Sequence, residues 1–284
     1  MRQWFTVLCT GILLVTITSA SAQPAQHHFE AGMEVSSFNY EEPNFMEEDG
    51  VLWGIFGNYE ILLRENSPHT SFKDLFRNGN GFNRFELDAR ILWGQVDYTS
   101  TMTGSLDEID DWLFEIRGLT GYDFPVFEDQ IITFFLGIGY RYLNDDSSGL
   151  RTTTNAAGYE RESNYLYLPI GLKYFAPLKE QWTFEARGEF DIFLTGEQES
   201  HLGDAISSLG TVTNDQDSGW GARASVRLER TGEHVDLFVE PYFRYWEIDD
   251  SNPAVVASGP GFLIVGLEPA NESWEAGSRF GIRF

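Results

Sequence analysis

Residues Glu272–Phe284 read ESWEAGSRFGIRF. Taken in twos, Trp274, Ala276, Ser278, Phe280, Ile282 and Phe284 fall on one side of an extended chain. Glu275, Gly277, Arg279, Gly281 and Arg283 fall on the other. Successive strand side chains point to opposite faces, so this is a strand with one apolar face and one charged or bare face. Both a soluble sheet and a membrane strand can carry that pattern. The decision between them rests on how often the chain repeats it and on the spacing of its connections.

The repetition is extensive. Period-two alternation predicts strands at about 28–40, 51–63, 83–98, 112–124, 131–142, 165–175, 181–194, 218–229, 234–247 and 273–284. In Trp182–Leu194, WTFEARGEFDIFL, the residues Trp182, Phe184, Ala186, Phe190, Ile192 and Leu194 alternate with Thr183, Glu185, Arg187, Glu189 and Asp191. In all ten segments the charges gather on one face. Each segment is long enough to cross a bilayer as a tilted strand. The predicted connections after strands 1, 3, 5, 7 and 9 are long, and those after strands 4, 6 and 8 are short. Long loops at one rim and tight turns at the other, with an even strand number, describe an antiparallel up-and-down barrel in a membrane: apolar face to lipid, charged face enclosed. The connection 64–82 breaks the rule. Ser71 and Asp74 are placed there to cap a helical turn carrying Phe72, Leu75 and Phe76.

The first residues predict export. Arg2, the apolar run WFTVLCTGILLV and the Ala20-Ser21-Ala22 cleavage pattern make the three parts of a secretory signal peptide over 1–22, leaving 23–284 as one barrel domain. Cys9, the single cysteine, falls in the removed part, so the mature chain has neither disulfide nor thiolate chemistry. The chain has 19 lysines and arginines against 44 acids, a net charge of −25, 15% aromatic residues and 28 glycines. That charge excludes nucleic acid as a partner, because phosphates need a basic footprint.

The terminal FGIRF, with Phe280, Ile282 and Phe284 alternating up to the last residue, resembles the C-terminal signal of bacterial outer-membrane barrels. With the alternation and loop asymmetry, the chain resembles the broad class of Gram-negative outer-membrane β-barrels. The resemblance implies localisation in the bacterial outer membrane, contact with its lipid and lipopolysaccharide, recognition by the assembly machinery, and a monomer.

The enclosed face is expected to hold a charge network of Glu86, Arg90, Arg117, Arg141, Arg187, Glu189, Arg227, Glu240, Arg244 and Arg279. Phe135, Tyr165, Tyr167 and Trp246 point inward beside it. A bore of about eight strands is just filled by side chains and open channels need about 16 strands. The lumen is therefore read as an ion-paired plug, with a small selective pore as the alternative and Arg187, Arg227 and Arg244 as the residues whose removal opens it.

The predicted outer loops are acidic and attract cations. The stretches at 107–111, 144–149 and 247–252 offer carboxylates for weak Ca²⁺ or Mg²⁺ binding, without EF-hand spacing and with no further cofactor expected. The run GFLIVGLEP at 261–269 is apolar on that acidic rim and could serve an adhesin.

Omptin proteases are also ten-stranded outer-membrane barrels, with an acid pair and an Asp-His pair facing each other across the rim. Here Glu199-Ser200-His201 stands where that resemblance implies Asp-x-His, and Asp107, Asp110 and Asp111 where it implies the acid pair. The spacing singles out no water-activating pair, so the primary reading is a non-enzyme with a structural or narrow porin-like role. His27, His28 and His69 are read as structural or incidental.

Overall fold

The computed structural model describes residues 25–63, 82–127, 129–259 and 262–284. Ten long antiparallel strands close on themselves: β1 (Gln26–Glu42), β2 (Met46–Leu62), β3 (Arg84–Ser100), β4 (Gly104–Phe127), β5 (Gln130–Asp146), β6 (Glu160–Pro177), β7 (Trp182–His201), β9 (Gly219–Arg230), β10 (Asp236–Ile248) and β13 (Asn271–Arg283). The pairing runs β6-β5-β4-β3-β2-β1-β13-β10-β9-β7, and β7 returns to β6. No barrel strand is left with an open edge, as an apolar solvent requires of its backbone donors and acceptors. The short β8 (Thr211–Gln216) extends β7 beyond the barrel, helix α1 (Leu202–Ala205) sits between them, and β11 (Ala254–Gly259) pairs with β12 (Phe262–Gly266) as a separate hairpin. The expected segments 1–22 and 64–81, with Ser71, Asp74 and His69, lie outside the described residues.

Each predicted strand is present, but the outer ends are longer than predicted. Glu41, Glu42, Glu47, Glu48 and Asp49 belong to β1 and β2, which pair all the way to Glu42↔Met46. Likewise β3 and β4 pair to Ser100↔Gly104, so 107–111 is strand rather than loop. The first two outer connections are thus tight hairpins, a correction to the five long loops. The excess of acids hid the alternation. At the β1–β2 turn Asn44 takes φ 71°, a conformation asparagine tolerates better than most residues.

The outward face is apolar. Trp53, Trp93 and Trp112 are direct register neighbours on β2, β3 and β4, and Tyr142, Trp220, Tyr245 and Trp274 continue the aromatic ring on other strands. At the opposite end Phe29 stacks on Tyr59 at 4.6 Å and on Phe284 at 5.9 Å. Paired aromatic girdles with aliphatic residues between them are the signature of a lipid-facing barrel wall. Phe280, Ile282 and Phe284 stand on this outer face, and Phe284 exchanges two backbone hydrogen bonds of 2.9 Å with Phe29. His27 shares a 2.7 Å hydrogen bond with the Tyr59 hydroxyl at the same end.

This register gives a direct test. Ala224 is exposed midway along β9, between the inward Arg223 and Ser225. Replacing it with Arg puts a charge in lipid at a cost of about 2–4 kcal/mol near the midplane. The expected result is a lower yield of folded barrel in bilayers; a wild-type yield would reverse the inside–outside assignment.

Candidate functional site

Strand alternation delivers the charged residues into the bore, where most of them pair between strands. Arg90 of β3 is fully buried and donates Nε to Glu115 Oε2 at 2.8 Å, Nη1 to Glu275 Oε2 at 2.5 Å, Nη2 to Glu275 Oε1 at 2.8 Å, and Nη1 to Glu34 Oε1 at 3.1 Å. Glu34 also accepts from Arg244 at 2.8 Å and Arg279 at 2.8 Å. Arg279 passes the chain on to Asp88 at 3.1 Å, Asp88 to Arg117 at 3.0 Å, and Arg117 to Glu189 at 2.9 Å. Arg187 bridges Glu189 and Glu86, both at 3.1 Å, and Arg227 bridges Glu30 and Glu240, both at 2.7 Å. Inward aromatics lie against guanidinium faces: Arg187 is 4.2 Å from the Phe135 ring centre, Arg227 3.9 Å from Phe238, and Arg244 3.9 Å from Tyr242. Such contacts add favourable energy to partly desolvated arginines.

Of the ten expected residues, Glu86, Arg90, Arg117, Arg187, Glu189, Arg244 and Arg279 join in one ion-pair network, Arg227 and Glu240 pair in a second group with Glu30, and Arg141 stands apart. Arg141 makes no ion pair among the described residues. Its Nε and Nη2 have no hydrogen-bond partner, and its guanidinium lies 5.5 Å from the centre of the Tyr165 ring.

The ion pairs do not fill the whole bore. Toward the inner end they line a cavity of about 370 Å³, bordered by Glu60, Arg84, Lys173, Arg187 and Arg227. Toward the outer end the inward face turns apolar: Tyr165, Tyr167 and Trp246 point inward as expected, and they are joined by a layer of inward leucines that the alternation did not single out. Leu92, Leu113 and Leu143 are successive register partners across β3, β4 and β5 and are buried with Phe38, Leu52, Val96 and Ile109. Tyr165, Tyr167, Phe193, Trp246 and Ile248 form a second cluster from β6, β7 and β10. Gly139 and Gly221 let the large rings lie flat on the wall: an added Cβ would stand 2.2 Å from Tyr167 and 2.9 Å from Trp246. Tyr167 joins the two regimes, donating to Glu115 at 2.6 Å while accepting from Arg223 at 2.9 Å.

Above this cap a second cavity of about 290 Å³ opens at the mouth, bordered by Glu42, Glu48, Asp145, Arg161 and Glu268 beside Met46, Met102 and Leu106. It shares no lining residue with the inner cavity. Arg161 of β6 reaches Glu42 of β1 and Glu268 ahead of β13, each at 2.5 Å, and so ties opposite parts of the mouth together. Glu48 stands five residues beyond Trp53 on β2, and Asp145 three residues beyond Tyr142 on β5, toward the mouth. Burial, then the nearby Asp145 and Asp111 carboxylates, push the Glu48 carboxyl well above the usual carboxylate range, and burial raises Asp145 as well.

The residues that the omptin resemblance would use are not gathered across the mouth. Asp107 and Asp110 are exposed, whereas Asp111 is buried on the inward face. Glu199 and His201 alternate with the buried Gln198 and Ser200 and therefore face outward, where they meet Glu162 of β6.

Two expectations follow from these environments. Arg90→Ala leaves three buried carboxylates short of a partner, and removing one member of a buried ion group costs about 3–5 kcal/mol. Urea unfolding in lipid or detergent should show that loss, with part of it recovered in Arg90→Met/Glu275→Gln; a loss under about 1 kcal/mol, as for exposed pairs, would contradict the network. At the mouth, Glu48 in the folded state holds its proton more tightly than the unfolded value of about 4.3. Its contribution is fully present below that pH and is lost as pH rises through the folded value. Glu48→Gln should therefore match wild type near pH 4 and exceed it near pH 8, a difference readable from thermal unfolding at the two pH values.

A family model described as outer membrane protein beta-barrel domain matches residues 10–205. No curated protein matches the chain. Among solved structures, the outer membrane protease OmpT of Escherichia coli is similar with a TM-score of 0.56 at 7% identity, over 94% of this chain and 98% of that one. The translocator domain of the autotransporter NalP of Neisseria meningitidis gives 0.42 at 10% identity, over 91% and 88% of the two chains. Neisserial surface protein A gives 0.31 at 11% identity, over 92% and 98%. At these identities the likeness to OmpT is one of fold.

Proposed function

The chain belongs to the outer membrane protein β-barrel family, and from that premise we propose that it is a closed surface barrel with a structural role, any residual conductance being narrow and cation-preferring. Family membership points to the bacterial outer membrane. The observation that carries the reading is the stacking of two unlike seals in one bore: a cross-linked ion-pair layer and, above it, the apolar cap of Leu92, Leu113, Leu143, Tyr165 and Trp246. An ion crossing the barrel would have to shed water at the cap and break charge pairs beneath it. The acidic mouth supports the sign of the preference, since a rim of one charge concentrates its counter-ions.

The remaining parts of the proposal are export directed by residues 1–22, recognition of Phe280, Ile282 and Phe284 by the assembly machinery, and lipopolysaccharide around a monomeric wall. The outward aim of Glu199 and His201, away from the mouth, speaks against proteolysis. A partner-binding role has one observation in its favour: Val255, Leu263, Ile264, Val265 and Leu267 are each at least half exposed at the β11–β12 hairpin.

Planar-bilayer recording of refolded protein tests the closed reading. Wild type is expected to show no discrete openings. Arg187→Ser/Arg227→Ser/Arg244→Ser should remain closed as well, because these side chains lie below the cap; this replaces the expectation that thinning the charge layer alone opens the bore. Adding Trp246→Ala and Leu143→Ala should produce cation-selective channels. Stable channels in wild type would overturn the proposal.

A further inference from the structure

Glu162, Glu199 and His201 form the one set of three acidic or histidine side chains among the described residues whose donor atoms all lie within 4.8 Å of one another. Two strands carry them, and hydroxyls from two others hold them in place. Glu162 of β6 and Glu199 of β7 are direct register partners, and His201 follows Glu199 by two on the same outward face. Glu162 Oε1 accepts a 2.6 Å hydrogen bond from the Tyr142 hydroxyl of β5, which leaves Oε2 turned to His201 Nε2 at 3.7 Å. The Thr211 hydroxyl of β8 lies 3.1 Å from His201 Nδ1. Nε2 itself is a buried atom with no hydrogen-bond partner, although the side chain is 28% exposed. The Glu199 carboxylate makes no hydrogen bond among the described residues.

We propose that Glu162, Glu199 and His201 are a binding site for a divalent transition-metal ion of the zinc class, on the outer wall of the barrel just beyond the aromatic girdle. One imidazole and two carboxylates, with outward positions left for water or another donor, are a three-ligand zinc-type set. The imidazole selects against the hard ions: Mg²⁺ and Ca²⁺ take oxygen-only shells, whereas Zn²⁺, Co²⁺, Ni²⁺ and Cu²⁺ accept nitrogen readily. Bonds of about 2.0–2.2 Å in a tetrahedron put donors roughly 3.4 Å apart, against 3.7 Å between Glu162 Oε2 and His201 Nε2 and separations within 4.8 Å for the set. Thr211 and Tyr142 act as positioning residues. One fixes the ring with Nε2 toward Glu162, and the other fixes the carboxylate that faces it, the usual role of groups behind metal ligands. This site is distinct from the weak Ca²⁺ or Mg²⁺ binding expected of the acidic loops, and it is independent of whether the lumen is closed.

The test is a Co²⁺ titration of untagged, detergent-folded protein, read by the visible absorption of bound Co²⁺, with folding followed separately by heat-dependent migration on gels. Wild type should saturate at one ion per chain, and Zn²⁺ should displace it where excess Mg²⁺ does not. Glu199→Gln, His201→Ala and His201→Gln should each weaken binding at least tenfold, Tyr142→Phe and Thr211→Ala by a smaller factor, and His27→Ala/His28→Ala not at all. These ligands sit on the outer surface above the membrane, so their replacement leaves the barrel interior intact. Absence of a one-to-one signal in wild type, retention of it in Glu199→Gln and His201→Gln, loss of it in His27→Ala/His28→Ala, or displacement by Mg²⁺ as readily as by Zn²⁺ would each overturn the assignment.

Discussion

Arg90 donates to carboxylates on three other strands, Glu34 of β1, Glu115 of β4 and Glu275 of β13, from a position with no solvent exposure. A charge so placed is tolerable only if each of its partners stays where it is. Desolvating an ion costs several kcal/mol, and only well-aligned pairing offsets the cost. Since every partner is carried by a different strand, the pairing constrains strand register and barrel cross-section together. Lipid imposes the complementary constraint from outside, because its contact face must be apolar and its backbone groups must pair around a closed ring. The wall satisfies the second condition and the network answers the first.

The two conditions are not uniform along the axis. Below the girdle of Trp53, Trp93 and Trp112 the bore is ionic. Near and beyond it the inner face becomes leucine and aromatic, then acidic again at Glu42, Glu48 and Asp145. The apolar layer separates an inner chamber whose carboxylates face arginines from a mouth whose carboxylates face each other. Arg161, held between Glu42 and Glu268, is the cation that keeps the mouth from being purely repulsive. Raised carboxyl groups there and paired ones below express the same chemistry with and without enough arginines.

Most of the wall was legible in the sequence, because period-two alternation and a charge-free outer face leave little freedom in register. The alternation alone places residues such as Arg187 and Glu189 inside. It does not specify their partners, since Arg117–Glu189 and Arg227–Glu30 pair residues far apart in the chain. The aromatic part of the cap was legible in the inward positions of Tyr165, Tyr167 and Trp246, but its leucine layer was not: Leu113 or Leu143 on an inward position reads as an ordinary strand residue until its neighbours on adjacent strands are known. The outer strand ends were missed because Glu47, Glu48 and Asp49 read as loop, although one of them, Glu48, is buried at the mouth. His201 was singled out for its spacing to Glu199. Its third partner, Glu162, comes from a neighbouring strand and leaves no local signal.

The apolar layer divides the lumen, and side-specific thiol labelling measures that division directly. With Cys9 replaced by Ser, Thr133→Cys places one thiol among the residues of the inner cavity and Met102→Cys places one at the exposed mouth. A small membrane-impermeant thiol reagent applied outside intact cells should label Met102→Cys and leave Thr133→Cys unmodified until the periplasmic face is made accessible. Labelling of Thr133→Cys from outside, at a rate approaching that of Met102→Cys, would mean that the bore is continuous and the cap does not seal it.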